Sequence, residues 1–575
     1  MSDQQNQPQF DVVIVGSGVA GALLAFKLAG AGFKTLVLEA GAEVSEEDRA
    51  TFIGNFAMSA SKNQSSPYAG FVAPQPNASV FGRDYYVEDP TALPADLFTT
   101  YYERLVGGSM WHWQGIAIRM LPNDFKTKTL YGQGFDWPIS YGDLEPWYCE
   151  AEKEMGVAGS DEEASHVFKQ RFGAYRSQPF PMPEIAQSYL DKQFKAAMKG
   201  LQFGGVPLTV TAVPQAKNSV EYDGRPACDG RTSCIPLCPT KAKYEATFHI
   251  EKAKAAGAVI QPRSIVTHLE HDANGKITSV AYKRWDGVEE TVAGRIYVLA
   301  ANGIETPKIL LMSTQQNANG VANSSGRVGQ YLMDHPIKMS YALSKDPVYP
   351  FRGPPSTSSI ETLRDGEFRK TRAAFRTTIR NDGWSWPTGA PRGYDYTRRG
   401  WVLGTILEFV GARKLFGDAL RTAMEQHTVR QIMLNSATDM LPDSANRIVP
   451  SATQRDAFGI PRPDIKFKVD DYARGAFLAA VQVHARIFEA MGAVDFHLQA
   501  DSQSDSGSGH IMGTTIMGST SHDSVVDKEC RSHDNKNLFI VGSSVFPSAA
   551  TANPTVTVAA LALRSAQAIQ SQLRR

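Results

Sequence analysis

Five cysteines in 575 residues exclude a disulfide framework. No apolar run reaches the roughly 18 residues that a membrane-crossing helix needs. The longest candidates are Trp401–Ala412, which contains Glu408, and Val556–Leu563, which stops at Arg564. An excess of either charge is missing too. Lys+Arg and Asp+Glu both number 59, so the formal net charge is zero. No basic field points to nucleic acid, and no acidic tail is present. The opening stretch, Met1–Phe10, has neither the basic n-region nor the apolar h-region of a secretory signal. Internal repeats, low-complexity tracts and a clear linker are absent. The chain is too long for one hydrophobic core, so two interleaved domains are expected.

What is present begins at once. Asp11–Val15 reads as a buried strand, Ala22–Ala31 as a helix and Thr35–Glu39 as a second strand. Between the first two lies Gly16-Ser17-Gly18-Val19-Ala20-Gly21, and Glu39 follows at the end of the second strand. A strand, a glycine turn, a helix and a late acidic residue form the context a dinucleotide fingerprint requires. Gly16 allows the tight turn. Gly18 admits a pyrophosphate to the backbone. Gly21 brings helix and strand together, and Glu39 is placed for a ribose diol.

Further along, residues 44–100 read as irregular, Ala242–Ala256 as a helix, and Val259–Gln261 and Ser264–Leu269 as short strands. Ile296–Ala300 reads as a buried strand and about Tyr472–Met491 as a helix. The tail from Leu538 returns to strand, Gly/Ser turn and helix, with Asn553 opening the last helix. The Trp-rich stretch Trp384–Trp401 carries Arg392, Arg398 and Arg399. It reads as an irregular loop on the second domain, or else as a lid or docking surface.

Three of the five cysteines fall within eleven residues: Cys228, Cys234 and Cys238, the last followed by Pro239. Three thiolates closed by Cys-Pro resemble ferredoxin-type ligation and suit a [3Fe–4S] cluster. A [4Fe–4S] cluster with a non-cysteine fourth ligand, a zinc site completed by Asp229, and unligated thiols remain as alternatives. Cys149 and Cys530 stand alone and read as structural.

Taken together, these segments resemble the glucose–methanol–choline (GMC) oxidoreductases over nearly the whole chain. The residues that carry the resemblance are the N-terminal fingerprint, Gly107-Gly108-Ser109-Met110-Trp111-His112-Trp113, Ala301-Asn302-Gly303-Ile304-Glu305-Thr306-Pro307-Lys308, Asp334-His335-Pro336, His510 and Asn553-Pro554-Thr555. With the cysteine loop they are similar to the catalytic subunits of bacterial membrane-associated sugar dehydrogenases. Two departures stand out. Relatives often have a Cys-Cys pair where this chain has Cys228-Asp229. The loop before the catalytic histidine, usually rich in Asn, reads Ser506-Gly507-Ser508-Gly509-His510.

The resemblance implies an α/β fold. It pairs a Rossmann-like FAD-binding domain, from 1–120, 226–340 and 505–575, with a substrate domain of mixed or antiparallel sheet and flanking helices, from 121–225 and 341–504. It implies FAD as cofactor, near Gly16, Gly18, Gly21, Glu39, Gly107, Gly108, His112, Asn302, Gly542 and Thr555. His510 is the expected base and Asn553 its partner. An imidazole with a pKa near neutrality suits removal of a hydroxyl proton. His112 is the next candidate, His335 is read as positioning backbone or cofactor, and His522 and His533 as surface residues.

Cys228, Cys234 and Cys238 would hold the [3Fe–4S] cluster and pass electrons to a multihaem cytochrome c subunit. A small export subunit is the second expected partner. The expected activity is a dehydrogenase for a hydroxyl of a sugar, aldonate or polyol. An oxygen-using oxidase and a non-catalytic electron-transfer subunit are the rivals. The resemblance places the protein on the periplasmic side of the inner membrane, reached through partners. Without a signal-bearing partner the expectation is cytoplasmic.

Overall fold

A strand covered on both faces reads as a continuous apolar run, whereas one with a solvated face alternates. The N-terminal strand Phe10–Val15 is of the first kind, with Val12, Val13 and Ile14 fully buried. The computed structural model describes residues 9–575 apart from 59–84, 89–97, 99, 101, 162–171, 173–174, 236, 385–393, 396–399, 402–407, 500 and 502–505. In it this strand is the middle of a five-stranded sheet in the order Leu538–Ile540, Gly294–Leu299, Phe10–Val15, Thr35–Leu38, Val259–Gln261. Every pairing is parallel, with Val12 opposite both Ile296 and Thr35, and Val298 opposite Phe539.

One sheet thus draws on both ends and the middle of the chain. Its first helix is apolar nearly all round, as a helix buried between other elements must be. The first helix, Val19–Gly30, buries Leu23, Leu24 and Leu28 against the last helix, Thr555–Leu573, and against Thr247–Ala255. An antiparallel meander, Ser264–His271, Ile277–Arg284 and Glu289–Val292, extends this domain.

The second sheet is antiparallel. Its order is Val494–Leu498, Pro336–Leu343, Gln431–Thr438, Phe375–Arg380, Ser358–Ile360, Val210–Ala212, and Ser506–Gly507 pairs with the start of Pro336–Leu343. The helix Asp471–Ala490, capped by the Asp470 side chain, covers it.

Several local readings change. The stretch 44–100, read as irregular, contains the helix Glu46–Met58 and a short strand, Val87–Glu88. Three acidic residues in its first turn favour that helix start. The helix expected over Ala242–Ala256 spans only Thr247–Ala255, because Lys217 pairs with Lys243 across an extended segment. The last helix starts at Thr555, not Asn553, since Pro554 suits a helix entry.

Trp384 is buried, and its indole donates to the Ile432 carbonyl at 3.1 Å, so it is core, not exposed loop. Most of the remaining Trp384–Trp401 stretch lies outside the described residues. Residues 336–340, counted in sequence with the FAD domain, belong to the strand Pro336–Leu343 of the antiparallel sheet, and Ser506–Gly507, counted the same way, pairs with it. The helix Tyr141–Met155, counted with the substrate segments, packs on the last helix, where the Tyr148 and Thr557 hydroxyls meet at 2.8 Å. No described helix is long and apolar enough to cross a membrane.

A buried ionic knot ties these parts together. Arg369, fully buried, pairs with Asp124 at 2.8 Å and with Asp365 and Asp439 at 3.3 Å. Burial pushes the Asp439 carboxyl up to about 7, the nearby arginine opposing it. Arg369→Ala would strand three carboxylates in the interior. It is expected to cost about 3–5 kcal/mol, seen in thermal unfolding as a lower Tm. An unchanged Tm would contradict this role.

Candidate active site

Three parallel strands, Phe10–Val15, Gly294–Leu299 and Leu538–Ile540, end at one rim and open into turns, the place where such sheets bind ligands. The turns border a cleft of about 1220 Å³ counting its open mouth. Gly16, Ser17, Gly18, Glu39, Asn302, Gly542 and Thr555 line it, with Glu103, Gly108 and Gly509.

The fingerprint glycines separate by task. Gly16 has φ +97°, and a Cβ there would lie 2.6 Å from the Ala300 carbonyl oxygen. A Cβ on Gly21 would fall 1.9 Å from the Gly16 carbonyl oxygen, so this glycine sets the helix–strand approach. A Cβ on Gly18 would meet no protein atom within 4 Å. Its space is the cleft itself, at the N-terminus of the helix Val19–Gly30, where an anionic group is favoured.

Gly107, at φ +100°, donates its N–H to Ser17 Oγ at 3.0 Å, and a Cβ on Gly108 would lie 3.3 Å from Gly18 Cα. Glu39 is buried. It accepts from Ser17 N–H at 3.0 Å and Ser17 Oγ at 2.6 Å through one oxygen, and from Gly41 N–H at 2.8 Å through the other. Burial pushes its carboxyl up against these donors. The second oxygen retains a lone pair for a ribose hydroxyl. Asn302 uses its side chain to cap its own helix, accepting from Ile304 and Glu305 N–H at 2.8 and 3.1 Å. Its contribution to the cleft is positional.

Glu103 was not singled out in sequence. Neither of its buried oxygens has a hydrogen-bond partner among the described residues, and His112 Nδ1 stands 3.3 Å away. Glu103 thus brings a buried carboxyl, paired with His112, to the wall of the cleft.

His510 and Asn553 meet beside this cleft, between lining residues Gly509, Ile511 and Pro554. His510 Nε2 lies 2.9 Å from Asn553 Nδ2. Behind them, His335 Nδ1 is 2.7 Å from His510 Nδ1, and Arg376 Nη2 donates to Asn553 Oδ1 at 2.9 Å. Asp334 accepts the backbone N–H groups of His335, Ser508 and His510, together with the Thr100 hydroxyl. Burial first, then His335 and the Arg376 guanidinium, hold His510 well below the ordinary imidazole range. Burial brings His335 down to about 4. Both rings are therefore neutral near pH 7. Of the other histidines, His522 is exposed and His533 hydrogen-bonds Ser524 Oγ at 3.0 Å.

Cys228, Cys234 and Cys238 line one small cavity with Lys217, Arg231 and Lys243, and none is in a disulfide. Burial raises the Cys228 thiol, helped by the other two sulfurs. Among the described residues, no three His, Cys, Asp or Glu side chains converge on a point that a single metal ion could occupy. Lys217 and Lys243 are buried, and neither forms an ion pair among the described residues. Lys243 Nζ donates to the carbonyls of Trp111, Trp113 and Cys234 at 2.7, 2.9 and 2.9 Å.

Residues 131–337 and 442–562 match the family described as GMC oxidoreductase, and residues 9–62 match that described as FAD binding domain. The chain is 36% identical to the fructose dehydrogenase large subunit of Gluconobacter japonicus, over 98% of both chains. The chain belongs to the GMC oxidoreductase family. It is also 28% identical to the 2-methyl-1,2-propanediol dehydrogenase of Mycolicibacterium austroafricanum, over 97% of this chain and 94% of that one. Identity to the gluconate 2-dehydrogenase flavoprotein of Pantoea cypripedii is 23%, over 98% and 94%. The fold matches pyridoxine 4-oxidase from Mesorbium loti with a TM-score of 0.64 at 18% identity, covering 98% and 99%.

FAD fits the cleft: a helix N-terminus and an open Cβ position at Gly18 face the phosphate site, and buried carboxylates lie on its walls. This GMC protein is an FAD-dependent oxidoreductase. Because a side chain at Gly18 would meet only the ligand, Gly18→Val is expected to fold normally by circular dichroism and to lose most of its flavin. Wild-type flavin-to-protein stoichiometry in that variant would contradict the assignment of the cleft.

Proposed function

We propose that this protein is a dehydrogenase that oxidises a hydroxyl-bearing carbon of a sugar, aldonate or polyol, with His510 as the base. The observation that carries the reading is the contact between His510 Nε2 and Asn553 beside the FAD cleft. FAD, when bound, supplies the acceptor for the carbon-bound hydride. His510 takes the hydroxyl proton. Asn553, held through its carbonyl by Arg376, orients the hydroxyl. The similarity to a fructose dehydrogenase subunit, a diol dehydrogenase and a gluconate dehydrogenase flavoprotein supports the substrate class.

The cysteine loop is assigned to a [3Fe–4S] cluster held by Cys228, Cys234 and Cys238, which would supply one-electron transfer to a partner. Three thiols around one cavity and two buried lysines support an anionic group there. Structural zinc wants four donors around one point, whereas a cluster takes its thiolates at separate corners. A cytochrome c subunit is the acceptor this implies. A small export subunit and a periplasmic location belong to the same proposal.

The test is an anaerobic titration with a panel of sugars, aldonates and polyols, followed by flavin absorbance and low-temperature EPR. Flavin bleaching by one member, with loss of a [3Fe–4S] signal, is the expected result. Bleaching without any iron signal, with rapid reoxidation by oxygen, would mean an oxidase. No bleaching by any member would mean that the substrate class is wrong.

Protonated His510 cannot accept a proton, and its pKa is depressed. The rate of flavin reduction is therefore expected to stay level as pH falls through 6.5, with its acid limb below that value. A limb at or above 6.5 would count against His510 as the base.

A further inference from the structure

We propose that His335 is a positioning residue for this pair: it fixes the tautomer that keeps His510 Nε2 unprotonated, with its lone pair as the acceptor of the substrate proton. The inference rests on the reading of His510 as the base. The argument runs inward from two ends. At one end, His335 Nε2 lies 3.2 Å from the backbone carbonyl oxygen of Ala549. A carbonyl oxygen only accepts, so His335 carries its hydrogen on Nε2 and, being neutral, a lone pair on Nδ1. His510 Nδ1 is 2.7 Å from that lone pair. It must be the donor, which leaves His510 Nε2 unprotonated.

At the other end, Arg376 Nη2 lies 2.9 Å from Asn553 Oδ1. A guanidinium only donates, so the amide oxygen faces Arg376 and the amide NH₂ faces His510. An NH₂ group 2.9 Å from His510 Nε2 again requires a lone pair there. The two ends are independent, and they assign the same proton positions to the whole chain. The opposite tautomer of His510 would bring two lone pairs together at 2.7 Å and two N–H groups together at 2.9 Å.

When His510 takes a proton, its Nδ1–H remains directed at the His335 lone pair, which receives the growing positive charge. This is the role of the buried carboxylate in a Ser-His-Asp triad, filled by a neutral acceptor. The surroundings hold the geometry. Asp334 fastens the backbone on both sides of the histidine pair, and Ser508 Oγ donates to the His335 carbonyl at 2.7 Å. Glu361 sits between Arg364 at 3.0 Å and Arg376 at 3.9 Å.

Three substitutions test this by stopped-flow flavin reduction with whichever sugar or polyol bleaches the wild type. His335→Leu removes the acceptor. His335→Asn keeps one near the Nδ1 position, and His335→Gln places it near Nε2, out of reach of His510. His335→Leu is expected to slow reduction about 100-fold, the scale of general-base catalysis, with flavin content and substrate affinity kept. His335→Asn should recover most of that rate and His335→Gln should not. Wild-type reduction by His335→Leu would overturn the proposal, as would equal rates for the Asn and Gln variants. His510→Ala separates the two readings: if it reduces flavin at the wild-type rate, the base assignment itself fails.

Discussion

The closeness of one turn to its neighbours sets the geometry of this protein. Gly16 lies against Ala300 with no room for a Cβ, and Gly21 lies against Gly16 in the same way. The exit turns of Phe10–Val15 and Gly294–Leu299 touch there, at the rim where such sheets bind ligands. The helix N-terminus at Val19 opens on that rim, which is the FAD cleft. The turns come from residues 16, 300 and 542, so the cleft exists only once both ends of the chain have joined the middle. Local sequence supplies the strands, and the close approach supplies the site.

Beside the cleft, buried charge holds position. Glu305 binds Arg104 and Lys308 at 2.9 Å and receives the Tyr85 hydroxyl at 2.8 Å. Burial alone would raise its carboxyl, and the two cations bring it down instead. Asp334 acts differently. Among the described residues it has no cation partner at hydrogen-bond distance, and burial raises its carboxyl while three backbone N–H groups and a hydroxyl oppose the rise. A carboxylate held by backbone donors fixes the backbone, and the backbone it fixes carries His335 and His510. Removing either network would leave charges stranded in the interior, a larger loss than any single contact within it.

Much of this was legible in the sequence where the signal is local. Gly16, Gly18 and Gly21 announce their tasks by spacing, and the structure separates those tasks atom by atom. The three cysteines announce a shared cavity by crowding. His510 and Asn553 were found only through the family resemblance, since a histidine in a glycine-rich loop is ordinary. Arg376 and Glu103 left no signal. Arg376 meets Asn553 across 177 positions of sequence. It lies on a strand whose other residues are also buried, so neither periodicity nor composition marks it. The ring-to-ring contact of His335 with His510 spans 175 positions. Asp334-His335-Pro336 could be recognised as a motif, but its partner could not. The domain segments suffer in the same way: Pro336–Leu343 is a largely buried strand whose place in either sheet only its pairing shows.

The cysteine loop and the FAD cleft are not independent sites on one scaffold. The short turn Gly108–Trp111 begins on the cleft wall and ends at the loop. Lys243 grips the Trp111 and Trp113 carbonyls on one side and that of Cys234 on the other. An ammonium has three donors, and all three are used here against the burial that lowers the Lys243 pKa, so the two segments cannot part without leaving those donors unmet in the interior. Arg49 repeats the arrangement from the opposite side. It donates to the Cys238 carbonyl at 2.6 Å, pairs with Glu245 at 2.7 Å, and lies 5.1 Å over the Trp111 ring. Phe52 and Leu237 fill the space around that ring. These contacts keep the cysteines and the cleft at one separation.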